Sequence, residues 1–400
     1  MNIAVAQSGG PTCAINASLV GVFKEALKTP EIDAVFGSIN GIEGMIKDEL
    51  MDLKLVIRTN EDMELLRQTP STVLGSCRYK LPAVETDDEV YKKIHENLTK
   101  HRIEAFFYIG GNDSMDTVDK LSAYLKSVGS DIKVIGIPKT IDNDLPVTDH
   151  TPGFGSAAKY VAATVQEIIR DSSVYSIESV TIIEIMGRHA GWLTASTCVL
   201  RANDEIAPHL IYLPECNFSA EKFLEDVRSM QAKHKAVIVA VSEGVKLPQD
   251  SKRPVAVDNF GHEYLSGIGK SLEQLVKDHI GCKVRSIELN VMQRCSSHIC
   301  SKTDIDEAEH IGSEGVKRAL AGETGKMMVY KRLSDVPYVI TIESAEASAV
   351  ANKEKFFPRR WINDAQNDIL PEAEKYFLPL IQGEVKIAMK NGMPVHFKLK

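Results

Sequence analysis

Short apolar runs that stop abruptly at polar clusters rich in glycine or proline constrain this chain more than any other feature. The clearest are 2–7 (NIAVAQ), 105–109 (AFFYI), 134–137 (VIGI), 180–185 (VTIIEI) and 236–241 (AVIVAV). Each reads as a strand. Stretches with helical spacing of apolar residues follow at 15–27, from Ser114 to 125, up to about 170, after Trp192, and at 266–280, with a further amphipathic helix at 85–101. Strands alternating with helices predict an α/β fold with mainly parallel sheets. The polar clusters all fall just after strand ends, which is where open α/β sheets bind ligands.

The densest cluster runs from Lys133 to Asp144, KVIGIPKTIDND, and sets Lys139, Thr140, Asp142 and Asp144 side by side. If the chain stays extended, the two aspartates point to one side, because strand side chains alternate. Paired carboxylates beside a lysine suit acid/base or metal chemistry on an anionic substrate, and equally suit a loop whose aspartates cap the next helix. Ser8-Gly9-Gly10-Pro11 lies between a strand and a helix, the layout that holds phosphate on backbone N–H groups, without the Gly-Lys-Ser/Thr ending of a Walker A loop. Gly110-Gly111-Asn112-Asp113-Ser114 repeats that layout, with Ser114 as the expected N-cap and Asp116 and Asp119 in the first turns. Gly75-Ser76-Cys77-Arg78 places an arginine in a turn.

Composition narrows the function. A formal net charge of −8 argues against a nucleic-acid partner. Attraction for phosphates then has to come from local cations, helix N-termini or a divalent metal. The seven cysteines, at 13, 77, 198, 216, 282, 295 and 300, form no CxxC pair and no zinc spacing, so free and mostly buried thiols in a reducing cytosol are expected. The chain opens on a strand rather than a signal peptide, and no run has the apolar length of a membrane span. A cytoplasmic protein that uses neither membrane nor nucleic acid is the expectation.

Taken in order, SGGPTCAINA, GSCRY, GGNDS, PKTIDND, PGFGSA, EIMGRHAGW, VSEG and VRSIELNVMQR resemble the phosphofructokinase family over most of the chain. The resemblance implies two Rossmann-like α/β domains with the active site in the cleft between them. The larger would span 1–152 plus roughly 293–345 and bind the phosphoryl donor. The smaller would span 153–292 and bind the sugar phosphate, leaving the placement of 346–400 open. It implies phosphoryl transfer to the 1-hydroxyl of fructose 6-phosphate in glycolysis or gluconeogenesis, with Mg²⁺, in a homodimer or homotetramer. Asp142 matches the family base, and Thr140 and Asp144 flank it. Met186, Gly187 and Arg188 match the loop gripping the sugar phosphate, and Glu243 the carboxylate on its hydroxyls. Arg294 matches a ligand of the 6-phosphate, and Arg285 an arginine reaching across from a neighbouring subunit. Gly10 and Arg78 fall where the donor binds.

Asp113 and Lys139 match the family members that use pyrophosphate; ATP users carry glycine at both positions. A carboxylate near a nucleotide α-phosphate would cost roughly 4 kcal/mol at about 4 Å and an effective dielectric near 20. Lys139 would stabilise the departing phosphate. The alternatives are an ATP-dependent kinase or a regulatory subunit that binds sugar phosphates. This chain departs from the family pattern at four places. Asn112 stands where a metal-binding aspartate is usual, Ser179 where a second cross-subunit arginine is common, QRCSS replaces QRGG, and Val291 replaces His or Tyr.

Overall fold

The computed structural model describes residues 1–247 and 267–399. Two sheets carry the architecture. The larger has seven strands in the order β11-β10-β5-β4-β1-β2-β3. These are β1 (Asn2–Gln7), β2 (Ala34–Ser38), β3 (Leu50–Asp52), β4 (Ile103–Gly110), β5 (Lys133–Pro138), β10 (Lys326–Asp335) and β11 (Tyr338–Glu346). All its pairings are parallel except the two at the edges, β2 with β3 and β10 with β11. The smaller sheet, β7-β8-β6-β9, is parallel throughout: β6 (Ser179–Ile185), β7 (Leu210–Tyr212), β8 (Ala236–Ser242) and β9 (Lys283–Glu288). The α/β fold with mainly parallel sheets is therefore as the alternation predicts.

Register places the functional loops. Gln7 of β1 pairs with Ile109 of β4, and Gly110 of β4 with Pro138 of β5, so three strands end level. Ser8, Gly111 and Lys139 thus emerge side by side. In the smaller sheet Ile185 pairs with Ser242, which brings Met186 and Glu243 together. β1 lies between β2 and β4, so the chain leaves it in opposite directions, and the crevice above that reversal is where such sheets take ligands.

Among the described residues the helices are α1 (Ile15–Lys28), α2 (Ile42–Lys47), α3 (Asn60–Arg67), α4 (Glu89–Lys100), α5 (Asn112–Ser127), α6 (Phe154–Ser172), α7 (Trp192–Ala195), α8 (Ala220–Gln231), α9 (Ile268–His279), α10 (Lys302–Leu320) and α11 (Glu374–Phe377). α3 opens on a Thr59–Asp62 capping box. The helix expected at 266–280 is α9; its expected first residue, Ser266, lies outside the described residues. β9 ends at Glu288. Asn290, at φ 45°, leaves the extended region and opens a 3-10 turn that carries Gln293 and Arg294.

The β10–β11 hairpin closes the far edge of the larger sheet. Beyond it the chain returns to the smaller sheet. Phe357, Tyr376, Phe377 and Leu380 join Ile185, Trp192 and Phe154 in one buried cluster, with the Trp192 and Phe357 rings 5.1 Å apart. All seven cysteines are free, four of them buried, and no helix among the described residues is long and apolar enough to cross a membrane.

α1 and α10 cross in backbone contact. A Cβ on Gly21 would lie 1.9 Å from the Glu309 carbonyl oxygen, and one on Gly312 would lie 2.1 Å from that of Ser18. Neither neighbour is a side chain that can swing aside. Gly312→Ala is therefore expected to lower stability by about 2–3 kcal/mol through forced separation of the helices, read as a fall in the urea midpoint at unchanged slope.

Candidate active site

The carboxyl ends of both sheets face one cleft, which encloses a cavity of about 210 Å³. The larger sheet contributes Ser8–Thr12 after β1, Gly111–Ser114 after β4, and Lys139, Thr140, Asp142 and Asp144 after β5. The smaller contributes Met186, Arg188 and His189 after β6 and Glu243 after β8. Arg294 enters from the 3-10 turn, Arg78 from the loop before α4, and Glu354 from the C-terminal segment.

Lys139 is 2 % exposed and its Nζ donates to the Gly10 carbonyl at 2.6 Å. Gly9 makes this approach possible: it sits at φ 75°, and a Cβ there would be 3.1 Å from that Nζ. Burial pushes the Lys139 pKa down to about 8, against the pull of Asp142. Asn143, at φ 55°, breaks the extended run between Asp142 and Asp144, so strand alternation does not set their directions. Both nevertheless line the cleft. Asp142 is tied locally, its N–H donating to Thr140 Oγ1 at 3.1 Å while that hydroxyl reaches Asp142 Oδ2 at 3.4 Å.

On the opposite wall, Gly244 permits the Arg188 backbone to pass; a Cβ there would be 1.8 Å from the Arg188 carbonyl oxygen. Glu243 Oε1 accepts from Gly187 N–H at 3.4 Å, and Gln293 Oε1 accepts from Met186 N–H at 3.0 Å. Arg188 Nε is buried with no hydrogen-bond partner among the described residues. A buried guanidinium donor in that condition calls for an acceptor that the protein does not supply.

Burial raises the Asp142 carboxyl, opposed by Arg188, Thr140 and Lys139. Asp144 is pushed up to about 7, by burial first and then by the charges of Asp142 and Glu354. Glu243 also rises to about 7, by burial and then Asp142. Five carboxylates (Asp113, Asp142, Asp144, Glu243 and Glu354) face Arg78, Lys139, Arg188 and Arg294. Polyanionic substrates entering such a balance favour bringing a cation with them.

Of the residues singled out in the sequence, Gly10, Arg78, Asn112, Asp113, Lys139, Thr140, Asp142, Asp144, Met186, Arg188, Glu243 and Arg294 all line the cleft. Gly187 stands just behind it. Arg285 does not reach it: on β9 it donates to Asp171 Oδ2 at 2.7 Å and Ser172 Oγ at 3.1 Å, and it shares a separate small pocket with Ser179. Ser114 is not the N-cap of α5. The helix starts at Asn112 after Gly111, because Asn112 and Asp113 already take helical geometry, and Ser114 is buried inside the first turn. Asp113 lies 3.8 Å from Lys80, a partner the sequence did not suggest. Glu354, His189 and Gln293 were also missed. His189 sat inside a quoted motif, whereas nothing in the unpatterned tail pointed to Glu354.

The raised Asp144 has a testable sign. The folded state keeps its proton up to about pH 7, while an unfolded aspartate loses it near 4. The cost of ionising it in place is thus absent below about pH 4 and complete above about pH 7. Asp144→Asn is expected to raise stability at pH 8 by about 2–4 kcal/mol, with the gain in Tm over the parent closing as pH falls to 4.

A protein-family model described as Phosphofructokinase matches residues 2–317. Two curated relatives named pyrophosphate–fructose 6-phosphate 1-phosphotransferase, from Halomonas elongata and Xanthomonas campestris pv. campestris, are 38 % and 40 % identical. Each alignment spans 100 % of this chain and 96 % of the relative. The crystal structure of pyrophosphate-dependent phosphofructokinase from Marinobacter aquaeolei matches with a TM-score of 0.89 at 38 % identity, over 100 % of this chain and 96 % of that one. With the two-sheet fold, the shared cleft and full-length similarity in agreement, the chain belongs to the phosphofructokinase family.

Proposed function

We propose that this chain transfers a phosphoryl group from pyrophosphate to the 1-hydroxyl of D-fructose 6-phosphate, giving D-fructose 1,6-bisphosphate and phosphate. The observation that carries the choice of donor is the presence of Asp113 and Lys139 in the same cleft as Asp142 and Arg188. The relatives that share the chain's full length carry that activity in their names. The donor bond and the product ester are of similar energy, so the reaction runs in both directions.

In this reading the sugar hydroxyl attacks in line and Asp142 takes its proton. Burial raises the Asp142 pKa, which makes it a better acceptor than an ordinary aspartate. The unpartnered Arg188 Nε meets the transferring or sugar phosphate oxygens. Lys139, protonated below about pH 8, neutralises the leaving phosphate. Glu243 holds sugar hydroxyls, Arg294 the 6-phosphate, and Gly10 and Arg78 the donor. The division into 1–152 with 293–345 and 153–292 is supported by the two sheets, whose strands fall on either side of it.

Mg²⁺ fits the donor set as a substrate-borne ion. Among the described residues no group of three or more His, Cys, Asp or Glu side chains is placed to hold a metal by itself. Asp142 and Asp144, with the neutral Asn112 oxygen, suit a cation whose remaining ligands are phosphate oxygens and water. When bound, it supplies charge neutralisation on the donor. Arg285, outside the chain's own cleft, supports a homodimer or homotetramer in which it completes a neighbouring copy's 6-phosphate site. A cytoplasmic enzyme is the accompanying expectation.

The deciding experiment measures kcat/KM with pyrophosphate and with ATP. The parent protein is expected to use pyrophosphate alone; turnover with ATP overturns the donor assignment. Asp113→Gly removes the carboxylate and leaves Lys80 to meet a longer polyphosphate, so ATP use should rise between about tenfold and a thousandfold. If the variant stays blind to ATP, donor choice does not rest on that charge. Asp142→Asn keeps the shape of the site without a proton acceptor. Its kcat should fall by roughly 10²–10⁴-fold with little change in sugar-phosphate KM, and near-normal turnover would remove Asp142 from that role.

A further inference from the structure

The loop that carries Asp142 and Asp144 continues to Asp149 without helix or strand. It contains two residues in the left-handed region, Asn143 at φ 55° and the β-branched Val147 at φ 71°. A β-branched residue there persists only where its surroundings dictate the backbone. Those surroundings come from a distant part of the chain. The Lys355 N–H donates to the Asp144 carbonyl at 2.6 Å. Its ammonium donates to the carbonyls of Thr148 at 3.1 Å and Asp149 at 2.8 Å, and to the Asn143 side-chain oxygen at 3.5 Å. Three donors of one ammonium thus grip three points of the same loop.

Tyr376 closes the arrangement. Its hydroxyl donates to the Asp149 carbonyl at 2.7 Å and accepts from Asn143 Nδ2 at 2.8 Å. The Lys355 ammonium also lies 5.0 Å from the centroid of the Trp192 ring, in the helix that follows the Arg188 loop. Lys355 itself does not line the cleft. A lysine used only for stability would serve as well in an ion pair on the surface. This one is committed to the carbonyls of Thr148 and Asp149 and to the side chain of Asn143, which lies between Asp142 and Asp144.

We infer that Lys355, assisted by Tyr376, is a positioning residue for phosphoryl transfer, holding the Asp142–Asp149 loop so that the Asp142 carboxylate meets the substrate hydroxyl. The inference rests on the reading of Asp142 as the base. Its effect belongs in kcat, because a displaced base impairs the chemical step more than it impairs binding.

The test uses Lys355→Met, which keeps the stem and removes the ammonium, and Tyr376→Phe, which removes one hydroxyl. With pyrophosphate and fructose 6-phosphate, Lys355→Met is expected to lower kcat on the order of 10²-fold with both KM values within about threefold. Tyr376→Phe should give a smaller drop of the same kind and carries the test if Lys355→Met does not fold. In an Asp142→Asn background each substitution should cost less than about threefold, since a base already removed cannot be misplaced. Amide hydrogen exchange over 142–149 should quicken in both variants of the substrate-free protein while β4 and β5 stay protected. Unchanged kcat in folded Lys355→Met, a KM rise at constant kcat, or losses that multiply with Asp142→Asn would each overturn the inference. A parent protein without pyrophosphate turnover, or full turnover by Asp142→Asn alone, would overturn the underlying reading and this inference with it. In that event the exchange rates still report separately whether Lys355 holds the loop.

Discussion

The hydrogen bond from the buried Lys139 ammonium to the Gly10 carbonyl is the contact around which the cleft is arranged. It joins the ends of β1 and β5, strands that are not neighbours but both flank β4. A buried ammonium is unfavourable unless charge of opposite sign stands close. Asp142 and Asp144 supply it, and burial in turn raises their own pKa values. Arg188 and Arg294 then stabilise Asp142 in its charged form, and Arg294 also makes Lys139 easier to deprotonate. The charges of Lys139, Asp142 and Asp144 therefore depend on one another. The arrangement favours a site that accepts anions and gives up stability before they arrive.

Acceptance of anions also depends on where each charge is anchored. Asp113 sits in the first turn of α5, where the helix dipole favours a carboxylate, and Lys80 stands 3.8 Å away. The field at this end of the cleft is therefore that of a partly neutralised carboxylate rather than a lone negative charge.

Both walls of the cleft are held by the segment that follows β11. Glu215 accepts from Gly191 N–H at 3.0 Å and from Phe357 N–H at 2.8 Å, tying the end of the Arg188 loop to the tail. Lys355 does the same for the Asp142 loop, and Glu354 reaches the cleft and bonds His189 at 2.7 Å. Phe357 and Tyr376 anchor the tail by packing on Trp192. The relative placement of Asp142 and Arg188 is thus fixed by a third element and not only by the two sheets.

The sequence alone determined the α/β class and the strand ends, because runs such as AFFYI and AVIVAV leave little choice but a buried strand. It also placed most of the cleft residues between Gly10 and Glu243, since all but Arg78 follow closely on a strand end and register does the rest. Three kinds of feature were decided by tertiary structure. Ser114 gave up the cap to Gly111 because the backbone turned helical at Asn112, a shift of less than one helical turn that propensity does not resolve. Asp142 and Asp144 took directions set by a left-handed Asn143 rather than by strand alternation. Glu354, Lys355 and Tyr376 act through contacts spanning some two hundred residues of chain, as between Tyr376 and Asn143. Periodicity reports only how a segment faces its own neighbourhood. Contacts of that span leave no mark on it, so the tail's part in the site became visible only in the folded chain.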